Sequence, residues 1–170
     1  MEKTELKIRI YPDQVLRKRS FMVKEVSSRH RDILSRMSQL MYEGDGIGLA
    51  APQAGINEML IVVDIGSGLY KLVNPRVVES SGRQVNQEGC LSVPGICIKV
   101  RRANKVKIKA QDEYGKPLNI EAEGLLACVL QHEIDHLKGR LIVDYACLLE
   151  RLKIGKTLKK LSAKTCQLYL

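Results

Sequence analysis

Tryptophan is absent from this 170-residue sequence and phenylalanine occurs once, so a hydrophobic core must be mainly aliphatic. No run of about 18 apolar residues occurs, which argues against a membrane-spanning helix. The charged N-terminal stretch MEKTELKIRI lacks the apolar core of a secretory signal. The 5 cysteines are odd in number and form no CxxC pair, so a secreted disulfide framework is not expected. These absences predict a cytoplasmic protein with reduced thiols.

Internal repeats, low-complexity tracts and Pro- or Ser-rich linkers are also lacking, and the length suits one domain. We therefore expect a single domain over residues 1–170. The net charge is +9 and the pI is about 9.4. Such an excess of basic residues favours polyanionic partners such as nucleic acid or a ribosome surface, although it also serves solubility.

Apolar periodicity predicts helices over residues 27–43, 125–138 and 146–163. Strands are predicted over 59–65, over 71–80 with a kink at Pro75, and as two or three antiparallel strands within 97–124. The helix over 125–138 is expected to stop at Gly139. The strands cluster in the middle of the chain and do not alternate with helices, which predicts an α+β fold.

The stretch GIGLAA over residues 46–51 fits the glycine pattern of a dinucleotide-binding loop, and Asp64 lies near the expected acidic position. That pattern functions only between a preceding strand and a following helix. Here a helical segment precedes it and Pro52 follows it directly. We interpret the stretch as a loop whose glycines let the backbone approach another group closely.

QHEIDHL, residues 131–137, contains two of the 3 histidines. His132 and His136 are four residues apart, so on a helix they share one face and can bind one ion. Glu133, beside them, can act as a general base without ligating the metal. Both histidines follow the apolar face of the helix, where an unpaired polar ring is costly. The segment therefore predicts a metal site.

A third ligand is needed, and the sequence offers several candidates. The metzincin pattern would place a histidine where Ile142 stands, so that family is excluded. Glu150 downstream and Cys128 on the same helix are alternatives. The strongest candidate is Cys90, which lies at a glycine-containing bend in QEGCLSVPG. A Cys/His/His set leaves the fourth tetrahedral position open, as a catalytic site requires.

Three segments, GIGLAAPQ, EGCLS and QHEIDH, resemble in residues, order and spacing the signature motifs of peptide deformylases. The resemblance extends from about YPDQVLR to IVDYA, which is most of the chain. It implies a peptide-deformylase-like fold, in which antiparallel sheets pack around a central helix carrying HEIDH and a C-terminal helix follows. It also implies removal of the N-formyl group from the N-terminal methionine of newly made polypeptides, with release of formate.

The resemblance assigns roles to residues of this sequence. Cys90, His132 and His136 would bind the metal, and Glu133 would be the catalytic acid and base. The Gln53 side-chain amide and the Leu91 N–H would donate hydrogen bonds to the oxyanion that forms during the reaction. The backbone of Ile47 and Gly48 would pair with the substrate peptide. Glu88 would brace the site by pairing with Arg102. Leu125, Cys128 and Val129 are expected to line a pocket for the methionine side chain, with core packing as their alternative role.

The ligand types suit one divalent ion, which could be Fe, Zn, Ni or Co, and the resemblance implies Fe(II) as the native ion. The expected partners are N-formyl-methionyl nascent peptides, with no membrane and a monomeric state. The last helix carries a basic set, Lys153, Lys156, Lys159, Lys160 and Lys164, which predicts docking to the ribosome or, alternatively, a solvated helix face.

Two other functions are compatible with the motifs. A metalloprotease would use the same two histidines and Glu133 on an internal peptide bond. A basic ribosome- or RNA-binding module would instead hold its metal for structural reasons.

Overall fold

The computed structural model describes residues 6–168, with side chains described as far as residue 163. These residues contain three α-helices: α1 (Ser28–Glu43), α2 (Gly124–Leu137) and α3 (Leu148–Leu168). The same described part of the chain contains seven strands: β1 (Gly48–Ala50), β2 (Leu60–Val63), β3 (Tyr70–Ser81), β4 (Gln84–Glu88), β5 (Ile98–Arg102), β6 (Lys105–Gln111) and β7 (Pro117–Glu123). Short 3₁₀ turns cover Gln14–Arg17, Ala51–Ala54 and Ile142–Tyr145. Among the described residues, no helix is long and apolar enough to cross a membrane.

The strands form two antiparallel sheets. Five strands are ordered β1-β2-β3-β6-β7, and β4 pairs with β5 in a separate two-stranded sheet. The prediction of an α+β fold with antiparallel sheets is therefore confirmed. The segment 97–124 contains three strands, but β5 pairs with β4 and not with β6.

The sheet is covered by helices on both faces near its β1–β2 edge. In β2 all four residues are buried, because alternate side chains reach opposite helices. Leu60 and Val62 pack in a core cluster with α1, whereas Ile61 and Val63 pack in a cluster with α2. A third cluster joins β5, the loop before it and one side of α3. Helix α2 thus lies inside the fold, against β1, β2 and β7.

The kink predicted at Pro75 is present as a break in strand register. Pairing of β3 with β6 shifts between Val73 and Arg76, as expected where proline removes a ladder donor. Asn74 has a positive φ of 53° at this point. Its side chain accepts a hydrogen bond from the Val23 N–H and donates one to the Val23 carbonyl, which fastens the preceding loop to the irregular strand.

The boundaries of α1 and α2 agree with the predictions to within one residue, whereas α3 differs at both ends. Helix α2 ends at Leu137, and Gly139 adopts the left-handed conformation with φ 73°. The start of α3 is later than residue 146, because Ile142–Tyr145 forms a separate 3₁₀ turn and Ala146 is extended. The backbone of α3 continues past residue 163, and the side chain of Lys164 lies outside the described residues.

Candidate active site

Helix α2 presents two histidines to one point. His132 and His136 are one turn apart, and their Nε2 atoms are 3.2 Å from each other. The rings meet edge to face with centroids 4.9 Å apart. His136 is only 1% exposed, and α2 is held against the sheet by buried neighbours such as Leu130 and Ile134. The histidines are therefore held rigidly on the inner side of the helix.

The loop after β4 brings a thiol to the same point. The Val93 N–H donates to the carbonyl of Cys90 at 2.9 Å, which closes a turn around the thiol. The Sγ of Cys90 lies 3.3 Å from Nε2 of His136. The Sγ and a ring nitrogen from each of His132 and His136 lie within 4.8 Å of one another, and no other such His/Cys/Asp/Glu group occurs among the described residues.

The two alternative ligands lie elsewhere. Glu150 accepts a hydrogen bond from the Cys147 N–H at 2.8 Å and stabilises the start of α3. Cys128 donates its S–H to Oε1 of Glu88 at 3.2 Å, so it does not point at the histidine pair. Of the three candidates for the third ligand, only Cys90 lies in the ligand cluster.

The surroundings of His132 fit a bound cation. Burial alone would lower the pKa of His132, but hydrogen bonds to Cys90 and Glu88, and the charge of Glu133, raise it to about 10. The anionic groups therefore favour positive charge at this point. Burial, followed by the charge of His132, lowers the pKa of His136, which keeps that ring neutral and able to offer a lone pair. One thiol and two imidazoles are donors that divalent transition metals prefer.

A buried carboxylate orients His132 from behind. Nδ1 of His132 donates to Oε2 of Glu88 at 2.8 Å, which leaves Nε2 to face the thiol. Arg102 donates to both oxygens of Glu88, through Nε and Nη2, each at 2.8 Å. Burial raises the pKa of Glu88, but its hydrogen bonds to Arg102 and His132 outweigh burial and lower the pKa to about 2. Glu88 therefore stays ionised in the interior.

Glu133 lies beside the ligand cluster without a partner for one oxygen. The residue is 3% exposed, and its Oε2 is buried with no hydrogen bond to the described residues. Burial raises its pKa to about 7, although the charges of His132 and Arg102 act in the opposite direction. A carboxylate with a pKa near neutrality and a free buried oxygen can both accept and return a proton.

Gln53 reaches the cluster from the short 3₁₀ turn after β1. Its Oε1 accepts a hydrogen bond from the Ala50 N–H at 2.8 Å, which orients the amide group. Its Nε2 donates to Oγ of Ser92 at 3.2 Å and lies 3.4 Å from Sγ of Cys90. GIGLAA is thus the loop and edge strand that carry Gln53 and Gly48 to the cluster, and it lacks the strand-loop-helix order of a nucleotide site.

These side chains surround one cavity with a volume of about 380 Å³. Leu125 and Ile47 are 53% and 44% exposed, while Cys128 and Val129 are buried. The predicted residues that line the cavity are Ile47, Gly48, Gln53, Glu88, Cys90, Leu91, Leu125, Cys128, Val129, His132 and Glu133. Two predicted residues lie behind this lining, namely His136 in the ligand cluster and Arg102 against Glu88.

Three residues of this region were missed by sequence reasoning. Oγ of Ser92 accepts a hydrogen bond from the Gln53 amide. Asp135 accepts a hydrogen bond from Arg102, and the Tyr145 hydroxyl donates to the same carboxylate. Asp135 could have been noticed as a charged residue on the inner face of an apolar helix. Nothing local distinguishes Tyr145, which is distant in sequence from Arg102.

Comparison with known proteins agrees with this geometry. The polypeptide deformylase family matches residues 5–152. A peptide deformylase from Caldicellulosiruptor bescii is 50% identical over 138 residues, which cover 81% of this chain and 83% of that protein. A crystal structure of a peptide deformylase from Legionella pneumophila superposes with a TM-score of 0.88 at 42% identity, covering 95% of this chain and 97% of that one.

A second solved structure is also similar in fold. A Synechococcus elongatus peptide deformylase, in complex with actinonin, has a TM-score of 0.85 at 39% identity, covering 92% of this chain and 90% of that one. The family match covers more than half of the chain and includes all three motifs. The chain therefore belongs to the polypeptide deformylase family and is a hydrolase of that family.

Proposed function

We propose that this protein is a metal-dependent hydrolase that removes the N-formyl group from the N-terminal methionine of newly made polypeptides. The observation that carries the proposal is the convergence of Cys90, His132 and His136 on one point, with Cys90 and His132 lining the cavity. Gln53 and Glu133 line the same cavity, so donor and base groups face one reacting centre. Membership of the polypeptide deformylase family supports the same reaction.

Cys90, His132 and His136 would hold one divalent ion. Such an ion would polarise the formyl carbonyl as a Lewis acid and lower the pKa of a nearby water. The ligand types allow Fe, Zn, Ni or Co, and we propose Fe(II) as the native ion. Because Fe(II) and the Cys90 thiolate both oxidise, we expect activity to decay in air. Reductant should slow that decay at full metal occupancy, and failure to do so would contradict the Fe(II) assignment.

Glu133 would move the protons of the reaction. Its free buried oxygen accepts a proton from the attacking water and later returns it to the leaving amine, which becomes the new N-terminus. The Gln53 amide, fixed by its own carbonyl oxygen at Ala50, would donate to the oxygen of the tetrahedral intermediate. The Leu91 N–H would supply a second donor from the loop after Cys90.

The cavity walls would select the substrate. Leu125, Cys128 and Val129 line the cavity and would contact the methionine side chain of the substrate. The backbone of Ile47 and Gly48 at the exposed edge of β1 would pair with the substrate peptide. Glu88 with Arg102 would brace His132 from behind the cavity.

A formate assay tests the proposal. We expect the protein to release formate from formyl-Met-Ala peptides and to leave the unformylated peptides intact. A metalloprotease would instead cleave an internal bond and release no formate. A structural-metal RNA-binding module would do neither.

We also propose that α3 docks to ribosomal RNA near the exit of nascent chains. Lys153, Lys156, Lys159 and Lys160 are all exposed on this helix. Its Ile154, Leu158 and Leu161 pack toward the core, so substitution of the lysines is a cleaner test than deletion of the helix. Phosphate contacts predict that ribosome affinity falls steeply with salt.

The test uses a variant in which all four of these lysines are replaced by glutamine. We expect weaker ribosome binding and a shallower salt dependence, with unchanged turnover of a short formyl peptide. Ribosome affinity equal to that of the wild type would leave α3 as a solvated helix.

A further inference from the structure

The hydrogen bonds that begin at His132 continue well beyond Glu88. Arg102 binds Glu88 through Nε and Nη2, and its Nη1 donates to Oδ2 of Asp135. The hydroxyl of Tyr145 donates to the same Oδ2 at 2.6 Å. A continuous series of contacts thus links His132 to the 3₁₀ turn immediately before α3.

This series lies in the interior, where hydrogen bonds are costly to lose. The side chains of Arg102 and Glu88 are 5% and 6% exposed, and that of Asp135 is 12% exposed. Two carboxylates therefore share a single guanidinium. The hydroxyl of Tyr145 supplies Asp135 with a donor that carries no charge, so Asp135 does not depend on Arg102 alone.

We propose that Tyr145 is a positioning residue of the active site. Its hydroxyl holds Asp135, which keeps the fork of Arg102 aligned with Glu88, and Glu88 in turn fixes the ring of His132 with Nε2 toward Cys90. Without the hydroxyl, the guanidinium moves toward Asp135, and its two hydrogen bonds to Glu88 weaken. This inference rests on the proposed metal site, since His132 acts as a ligand there.

Tyr145 is itself held from the side of α3. Arg151 donates from Nε to the carbonyl of Ala146 at 3.0 Å, which anchors the end of the turn to the helix. Tyr145 is partly buried and packs against the same core cluster as Ile154 and Leu158 of α3. Packing against α3 therefore helps to fix Tyr145, whose hydroxyl contacts both Asp135 and Nη1 of Arg102.

The competing explanation is that Tyr145 acts only through the packing of its ring. A variant that keeps the ring and loses the hydroxyl separates this explanation from the proposed positioning role. The guanidinium of Arg102 lies 5.0 Å from the ring centroid of Tyr145, a contact that phenylalanine would retain. Tyr145→Phe therefore removes the hydroxyl alone. Tyr114→Phe is a matched control, because Arg31 lies 5.7 Å from the Tyr114 ring centroid on the protein surface.

The experiment measures cobalt(II) binding to the full chain under anaerobic conditions, by competition with a chelator and by the visible absorption spectrum. We expect Tyr145→Phe to raise the Kd for Co(II) about tenfold, as residues that orient metal ligands do, and to shift the absorption bands. We expect Tyr114→Phe to match the wild type in both. Thermal unfolding of the metal-free variants is measured in parallel.

An unchanged Kd and an unchanged spectrum in Tyr145→Phe would overturn the proposal, whether or not the metal-free variant unfolds earlier. Equal changes in both variants would overturn it as well. If the wild type itself showed no thiolate-to-cobalt absorption, the metal site would be wrong, and this inference would be rejected with it. The two failures are therefore distinguishable.

Discussion

Glu133 illustrates how burial adapts an ordinary residue to catalysis. The folded chain buries it and leaves one oxygen without a hydrogen bond to the described residues, and burial raises its pKa to about 7. The neighbouring Glu88 experiences the opposite effect, because Arg102 and His132 lower its pKa to about 2. Two carboxyl groups of the same site are thus divided into a proton carrier and a permanent anion.

At the residue scale, we predict that Glu133→Gln lowers kcat by about 100-fold or more, the usual contribution of a general acid and base. Metal content should not change, because Glu133 is not among the clustered ligand atoms. Formate release and metal analysis of the purified variant check both statements. Glu113→Gln, which alters a partly buried pair with Lys71 outside the cavity lining, is the control. Wild-type turnover by Glu133→Gln would exclude the proposed mechanism.

Gly48 is a second residue at which a single added carbon atom should lower activity. A Cβ at this position would lie 2.4 Å from Oε1 of Glu133 and 2.9 Å from Cγ1 of Val129. We predict that Gly48→Ala displaces the carboxylate and lowers kcat/KM at least about tenfold, since small misplacements of catalytic groups are costly. Steady-state formate assays measure this effect.

Gly155→Ala provides the control for Gly48→Ala. It lies within α3, and a Cβ there would meet open space. Its activity should be unchanged, and its stability should rise by about 1 kcal/mol from the better helix propensity of alanine. Equal activities of the two variants would show that Gly48 does not need to be small.

At the scale of elements, helix α2 depends on how it ends. Gly139 has φ 73°, and a Cβ there would lie 2.4 Å from the carbonyl oxygen of Arg17. We predict that Gly139→Ala lowers the free energy of unfolding by about 2–4 kcal/mol, through left-handed strain plus a backbone collision. Gly95→Ala is matched in φ at 75° but meets nothing within 4 Å, so it should cost only about 1 kcal/mol. Denaturant unfolding compares them, and equal losses would show that the collision is relieved.

The elements that could be predicted from the sequence are those marked by a local pattern of apolar residues. Helices α1 and α2 show clear apolar periodicity, and strand β2 is a short apolar run rich in β-branched residues. The spacing of His132 and His136 is itself a helical signal. Strand β4 has the sequence QVNQE and only Glu88 is buried, so no apolar alternation marks it. Its pairing with β5, and the contact of Tyr145 with Asp135, join residues distant in sequence, and local periodicity carries no information about such contacts.

At the scale of the whole molecule, the site joins parts that belong to different core clusters. Helix α2 packs in the cluster with β2, whereas Cys90 packs against the cluster around β5 and α3. A metal ion held by Cys90 and the two histidines would therefore tie these clusters together. Metal binding should stabilise the entire fold, because the ligands converge only in the native state.

We predict that removing the metal by chelation lowers the free energy of unfolding by about 2.7 kcal/mol relative to protein with free metal at about 100 times its Kd. Cys90→Ser should lose most of this metal-dependent difference. Thermal or denaturant unfolding with and without metal measures it. A Cys90→Ser variant that is stabilised by metal as much as the wild type would contradict the assignment of Cys90 as a ligand.

We propose that Cys90, His132 and His136 hold a metal ion that serves hydrolysis of a formyl group. The most direct measurement is elemental analysis of anaerobically purified protein, combined with a formate assay on formyl-Met-Ala peptide before and after metal removal. We expect about one metal ion per chain, with formate release that disappears on chelation and returns when the metal is restored. Formate release at full rate from metal-free protein, or internal cleavage of the peptide without formate, would contradict it.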